Sequence, residues 1–142
     1  MLEKTDILKL IPHRPPFLWI DRVERLDPGA RCVALKFVDP AEPFFAGHFP
    51  GDAILPGAFL IEAAAQTAGV MMGQAAGESA PTGERRLAAV NRFKFLEPVR
   101  PGAELRIETE TIASVGSMTA VRATVSVAGV VVAAGELSVY AG

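Results

Sequence analysis

The stretch Ala58–Ala76 constrains this chain more than any other. It contains no proline, it is rich in Ala and Met, and its apolar residues fall on nearly every face of a helical period. A helix of that kind has no face to give to water, so it needs cover on all sides. Ala58, Ala63, Ala64, Ala65, Ala68 and Gly69 are small, which lets a sheet wrap closely around it. The wider apolar run from Ile54 to Ala76 is interrupted by Pro56, Glu62, Gln66 and Gln74. A spanning helix needs about 20 mostly apolar residues and tolerates buried polar groups poorly. The run therefore reads as the buried helix of a soluble protein, with no membrane partner.

The cover has to come from the rest of the chain. Thr5–Leu10 reads as a short helix capped by Thr5 or Asp6, and Pro12, Pro15 and Pro16 stop it from continuing. Phe17–Leu26 and Arg31–Val38 read as strands around the turn Asp27-Pro28-Gly29. After the helix, Gly77–Glu84 reads as a loop. Leu87–Phe95, Glu104–Ala113, Met118–Ala128 and Val130–Tyr140 then read as strands, with hairpins at Gly116-Ser117 and Ala128-Gly129 and a turn at Pro101-Gly102. Strands, one buried helix and then a meander predict an α+β fold, a curved antiparallel sheet wrapped around one long central helix. The 142 residues fit one domain, 1–142, and half of them are apolar, enough for a real core. A second copy of the chain can close the side the sheet leaves open, so a homodimer is expected.

Charge and cysteine content narrow the function classes. Net charge is −2, with 14 basic and 16 acidic residues, which argues against a nucleic-acid binder. The single cysteine, Cys32, allows no intrachain disulfide and fits a reducing cytosol. A catalytic thiol is the sharper reading of Cys32. Its place in the strand-like run Arg31–Val38 favours a small buried hydrophobe. The N-terminus lacks a signal-peptide apolar region, so the cytoplasm is expected. No metal-ligand spacing, nucleotide loop or G-x-S-x-G serine occurs, so neither a metal nor another cofactor is expected.

Between Asp39 and Gly57, prolines and glycines punctuate a long loop that also carries Phe44, Phe45, Phe49, Ile54 and Leu55. That apolar content predicts an ordered loop packed on the core. Only two histidines exist, His13 and His48. His48 lies in Gly47-His48-Phe49-Pro50-Gly51, and Glu62 follows fourteen residues later inside the apolar helix. A carboxylate there is costly unless paired, hydrogen-bonded or protonated, and a carboxyl that holds its proton suits a donor. An imidazole suits a proton acceptor. Each has a plainer reading: a loop histidine at a surface turn, and a glutamate reaching solvent through a gap. Gly57 heads the helix, where free N–H groups could stabilise a developing oxyanion; Pro56-Gly57 also serves simply as a helix start. Gln66, one turn after Glu62, is placed to bind the carboxylate, the substrate or the core. His13, in Pro12-His13-Arg14-Pro15-Pro16-Phe17, reads as structural.

Three segments, Ile11–Val23, Glu42–Gly51 and Leu55–Gln66, with the spacing from His48 to Glu62, closely resemble the (3R)-hydroxyacyl-acyl carrier protein dehydratases of type II fatty acid synthesis. Val99-Arg100-Pro101-Gly102 matches a weaker turn signature. The resemblance spans nearly the whole chain. It implies a hot-dog fold, dimers with two sites at the dimer interface, and assembly into hexamers as trimers of dimers. It implies that His48 of one chain takes the C2 proton while Glu62 of its partner helps the C3 hydroxyl leave. The Gly57 N–H would hold the thioester carbonyl, and Phe49, Phe59 and Leu60 would line the acyl tunnel. A related branch that also isomerises the double bond carries Asp at the helix position, so Glu62 favours plain dehydration. Two departures stand out. Pro15 replaces the usual Tyr, and Leu96-Glu97 replaces a basic pair commonly found near the tunnel mouth, which points towards a specialised pathway such as polyketide or aryl polyene synthesis. Arg85, Arg86, Arg92, Lys94 and Arg100 are candidates for a basic rim that meets an acidic acyl carrier protein, or for a solvated face. A hot-dog acyl thioesterase and a non-catalytic subunit of a hetero-oligomeric dehydratase are the competing readings.

Overall fold

The computed structural model describes residues 1–47, 51–76 and 85–141. The elements are α1 (Lys4–Leu10), β1 (Arg22–Asp27), β2 (Arg31–Phe37), a 3-10 turn (Pro43–Gly47), α2 (Gly57–Ala76), β3 (Arg85–Phe95), β4 (Glu104–Val115), β5 (Met118–Val127) and β6 (Val130–Ala141). The strands form one six-stranded antiparallel sheet in the order β1-β2-β4-β5-β6-β3. The long helix α2 touches β2, β3, β4, β5 and β6, so the sheet curves around it as the hot-dog arrangement requires. Leu105, Ile107, Val121, Ala123, Val125, Ala133 and Leu137 point inward from the meander and meet Ala63, Ala64, Ala68, Val70 and Met71 of α2 in one core.

The meander follows from its own chemistry. Buried and outward residues alternate along Leu105, Ile107 and Thr109 of β4 and along Val121, Ala123 and Val125 of β5. The β5–β6 turn has Ala128 at φ 50° and Gly129 at φ 81°, the two positive values a type I′ hairpin demands. A second glycine serves by its size. A Cβ on Gly135 in β6 would lie 2.5 Å from the Cα of Phe93, so only glycine lets β3 pass that closely. There β3 slips register between Asn91 and Lys94, with Arg92 at φ 53°.

Two expectations change. Phe17–Asp21 is not a strand, and β1 begins at Arg22. Two backbone groups of Phe17–Asp21 are taken by a side chain instead: Trp19 N–H donates to Gln66 Oε1 at 2.7 Å, and Phe17 O accepts from Gln66 Nε2 at 2.6 Å, while Asp21 N–H donates to Leu35 O of β2 at 2.8 Å. Nor is α2 covered all round. Ile61, Glu62, Ala65, Gly69 and Met72 form a partly open stripe at helical spacing. The small residues there serve the N-terminal segment as well as the sheet. A Cβ on Gly69 would touch Ile11 Cγ2 at 3.1 Å, and one on Gly73 would touch Leu10 O at 3.0 Å. A smaller shift is at α1, which starts at Lys4 after an N-cap at Glu3, whose N–H is taken by Asp6 Oδ2.

The expected loop at Gly77–Glu84 lies outside the described residues. Among the described residues, no helix is long and apolar enough to cross a membrane. The sheet edges are β1 and β3. Leu2 bridges to Val23 on β1, whereas β3 turns Leu87, Val90 and Phe95 towards solvent.

Candidate active site

Glu62 sits on the open stripe of α2, with its side chain 26% exposed. Beside it is a cavity of about 570 Å³. Its walls are the end of α1 with Ile11–Arg14, the α2 stripe at Glu62, Ala65 and Gly69, and the start of β3. The carboxylate is held from two directions. Gln66, 1% exposed and one helical turn further on, donates from Nε2 to Glu62 Oε1 at 2.9 Å. The imidazole of His13 brings Nε2 to 3.3 Å from the same oxygen.

His13 owes its place to its neighbours. Arg14 Nη1 donates to Ile11 O and to His13 O, and its Nη2 donates to Leu8 O near the end of α1. A cation there also satisfies carbonyls that a helix end leaves unpaired. The proline-flanked loop is thereby tied to α1, and α1 is packed on α2. Sequence reading missed this: it gave His13 a structural role, because nothing in the spacing joins position 13 to position 62. The only signals were that this chain has two histidines and that His13 lies in a loop stiffened by Pro12, Pro15 and Pro16.

The remaining predicted residues fall in different places. His48 and Phe49 lie outside the described residues. The 3-10 turn that precedes them is anchored to α2 by an aromatic cluster: Phe44 stacks on Phe59 at 4.5 Å between ring centres, and Trp19 packs on Phe59 at 4.4 Å. Phe59 is thus part of the packing around the helix start. Gly57 and Leu60 line a second cavity, about 360 Å³, with Ile54, Leu55 and Phe95–Val99. A Cβ on Gly57 would lie 2.8 Å from the ring of Phe95, so close ring packing is one reason for a glycine there. Gln66 spends both amide hydrogens on Phe17 O and Glu62, which makes it a brace beneath the carboxylate. Among the basic candidates, Arg85 and Arg86 line the Glu62 cavity, Arg92 and Lys94 lie on the edge strand β3, and Arg100 is paired with Asp52.

Cys32 is fully buried, and burial pushes its thiol up to about 12, which leaves no thiolate for nucleophilic chemistry near neutrality. Among the described residues, no group of three or more His, Cys, Asp or Glu is placed to hold a metal ion.

A helix carboxylate at the mouth of a cavity, inside a sheet-wrapped helix, invites comparison with known proteins. The FabA-like domain family matches residues 11–136. The chain belongs to that family. This FabA-like domain is 43% identical over 136 residues to the 3-hydroxyacyl-[acyl-carrier-protein] dehydratase FabZ of Geotalea uraniireducens, covering 96% of this chain and 94% of that protein. It is 40% identical over 137 residues to the FabZ of Ruminiclostridium cellulolyticum, covering 96% and 95%. Among solved structures, the dehydratase heterocomplex ApeI:P from Xenorhabdus doucetiae superposes with a TM-score of 0.81 at 20% identity, over 96% of this chain and 90% of that one. A hypothetical thioesterase with coenzyme A from Streptococcus pneumoniae shares the fold at a TM-score of 0.67 and 12% identity, over 85% and 84%. At such identities the structures speak to architecture, and the relatives at 40% and above speak to the chemistry of this FabA-like domain.

Proposed function

We propose that this FabA-like domain is a 3-hydroxyacyl-[acyl-carrier-protein] dehydratase, converting (3R)-hydroxyacyl thioesters to trans-2-enoyl thioesters. The observation that carries the reading is 43% identity to a curated dehydratase across 96% of the chain, with Gly47–Gly51 and Glu62 both in place. The chain works as one domain, 1–142, in the cytoplasm and without a cofactor.

His48 accepts the C2 proton as general base. Glu62 donates a proton to the C3 hydroxyl, the C3–O bond breaks, water leaves, and the electron pair freed at C2 forms the C2–C3 double bond. The N–H at Gly57 stabilises charge on the thioester oxygen, and Phe49, Phe59 and Leu60 shape the acyl tunnel. Each site takes His48 from one protomer and Glu62 from its partner. Support for a homodimer comes from β3, an eleven-residue edge strand with exposed apolar side chains, the kind of edge that another strand covers. Three such dimers make the hexamer. Arg85, Arg86, Arg92, Lys94 and Arg100 supply the basic rim for the acidic carrier protein; Arg85 and Arg86 lie at the cavity itself.

Purified protein incubated with 3-hydroxyacyl-acyl carrier proteins across a chain-length series tests the reading. Enoyl product is expected, and free thiol without enoyl product would identify a thioesterase instead. Replacing His48 by Ala or Glu62 by Gln should each lower turnover by about 10² or more in folded protein; near-native rates would refute the assignment of these residues.

A further inference from the structure

We propose that His13 is a positioning residue for Glu62, fixing which carboxyl oxygen carries the proton that is delivered. This rests on the reading of Glu62 as the general acid. Gln66 Nε2 donates a hydrogen bond to Glu62 Oε1 at 2.9 Å, and His13 Nε2 approaches the same oxygen to 3.3 Å as an ion-pair contact. No described residue hydrogen-bonds Oε2. A protonated carboxyl group has one O–H, and the oxygen that accepts from Gln66 and faces the His13 nitrogen is not the one that bears the hydrogen. The arrangement therefore places the transferable proton on Oε2, and after transfer the carboxylate keeps the Gln66 hydrogen bond and the His13 contact at the other oxygen.

The two donors also differ in origin, which is what makes them a brace. Gln66 lies on the same helix and follows Glu62 in any motion of α2. His13 comes from a separate segment, which Arg14 ties to Leu8 O of α1 and to Ile11 O just beyond its end. A glutamate has several staggered side-chain torsions to choose among, and a donor anchored elsewhere selects one of them. The ring's protonation pattern fits this task. Nδ1 of His13 is buried with no hydrogen-bond partner among the described residues. A buried N–H without an acceptor is the more expensive choice, so the ring presents an N–H at Nε2, the nitrogen that faces Glu62.

The test is steady-state dehydration of a 3-hydroxyacyl-acyl carrier protein by the full-length assembled protein. His13→Ala should lower kcat about 10- to 100-fold, the scale of a close polar contact to an ionisable group, and leave KM within about twofold. His13→Gln, which restores an N–H donor, should recover most of the loss. In a Glu62→Gln background, His13→Ala should cost less than about twofold, because the two residues act as one unit. An unchanged kcat, a loss confined to KM, or an equal loss in the Glu62→Gln background would overturn the proposal. If His13→Ala does not melt cooperatively, His13→Gln is compared with His13→Leu, since both fill the site and only one has the N–H; equal kcat values would then refute it. Near-native kcat in Glu62→Gln alone would instead refute the acid assignment itself.

Discussion

Gln66→Met would test whether the segment before β1 is held by a side chain. Methionine keeps the length and the unbranched shape but removes the amide. Three bonds disappear: Trp19 N–H to Oε1 at 2.7 Å, Nε2 to Phe17 O at 2.6 Å and Nε2 to Glu62 Oε1 at 2.9 Å. Trp19 is buried, so its N–H is left without an acceptor and without easy access to water. One stranded buried donor costs about 1–3 kcal/mol, and the loss at the Phe17 carbonyl adds roughly 1 kcal/mol. The sum, about 2–4 kcal/mol, is a large share of the roughly 5–15 kcal/mol that holds a domain folded. Thr67→Val, one residue along the same helix, is the control. Thr67 Oγ1 donates only to Ala63 O at 2.8 Å, a carbonyl within the helix ladder. Its loss strands nothing and should cost under about 1 kcal/mol. Equilibrium urea unfolding at one fixed protein concentration measures both, since the stability of an assembling protein moves with concentration. If Gln66→Met unfolds at the same free energy as Thr67→Val, the amide is not what holds Phe17–Trp19 in place.

Gly135→Ala should destabilise by roughly 1–3 kcal/mol or more, because its Cβ would meet the backbone of Phe93, which has little room to yield. Gly57→Ala should lower the melting temperature much less, since the atoms in its way belong to the ring of Phe95, which is 50% exposed and can turn aside. Thermal melts that rank these two in the opposite order would contradict the packing described. Glu108 gives a pH prediction. Burial opposes its charge, but hydrogen bonds from Arg106 and Arg31, with their positive charges, outweigh burial and hold the carboxyl below its ordinary value. A carboxyl group lowered on folding stabilises the protein above its unfolded pKa and loses that contribution as pH falls through the folded one. The stability gap between the native chain and Glu108→Gln should therefore be full near neutrality and close as the solution is acidified below the ordinary carboxyl range; a gap that widens in acid would refute it.

The helix and the meander could be read from sequence because local chemistry decides them. A proline-free run with apolar residues on nearly every face had to become a largely buried helix, and alternation with paired turn residues set β4, β5 and β6. Where a distant group decided the outcome, local pattern failed. Phe17–Leu26 looks like a strand from its start, but the backbone at Phe17 and Trp19 is bonded to the amide of Gln66, nearly fifty positions away. The placement of β3 beside β6, and the bulge at Arg92 that Gly135 permits, depend on a long-range pairing that no alternation encodes. Glu62 was legible because a carboxylate inside an apolar helix is costly anywhere. Its contact with His13 was not, since it arises from the docking of α1 and its following loop on α2.

Mixing two inactive proteins addresses the proposed chemistry most directly. His48→Ala and Glu62→Gln, each purified folded, would be combined under conditions that let subunits exchange, and enoyl formation followed with time. If each site joins His48 of one protomer to Glu62 of its partner, a mixed dimer contains one intact site, and activity should rise towards about a quarter of the native value at equal proportions. Demonstrated exchange with no gain in turnover would contradict a site shared between these two residues across the dimer.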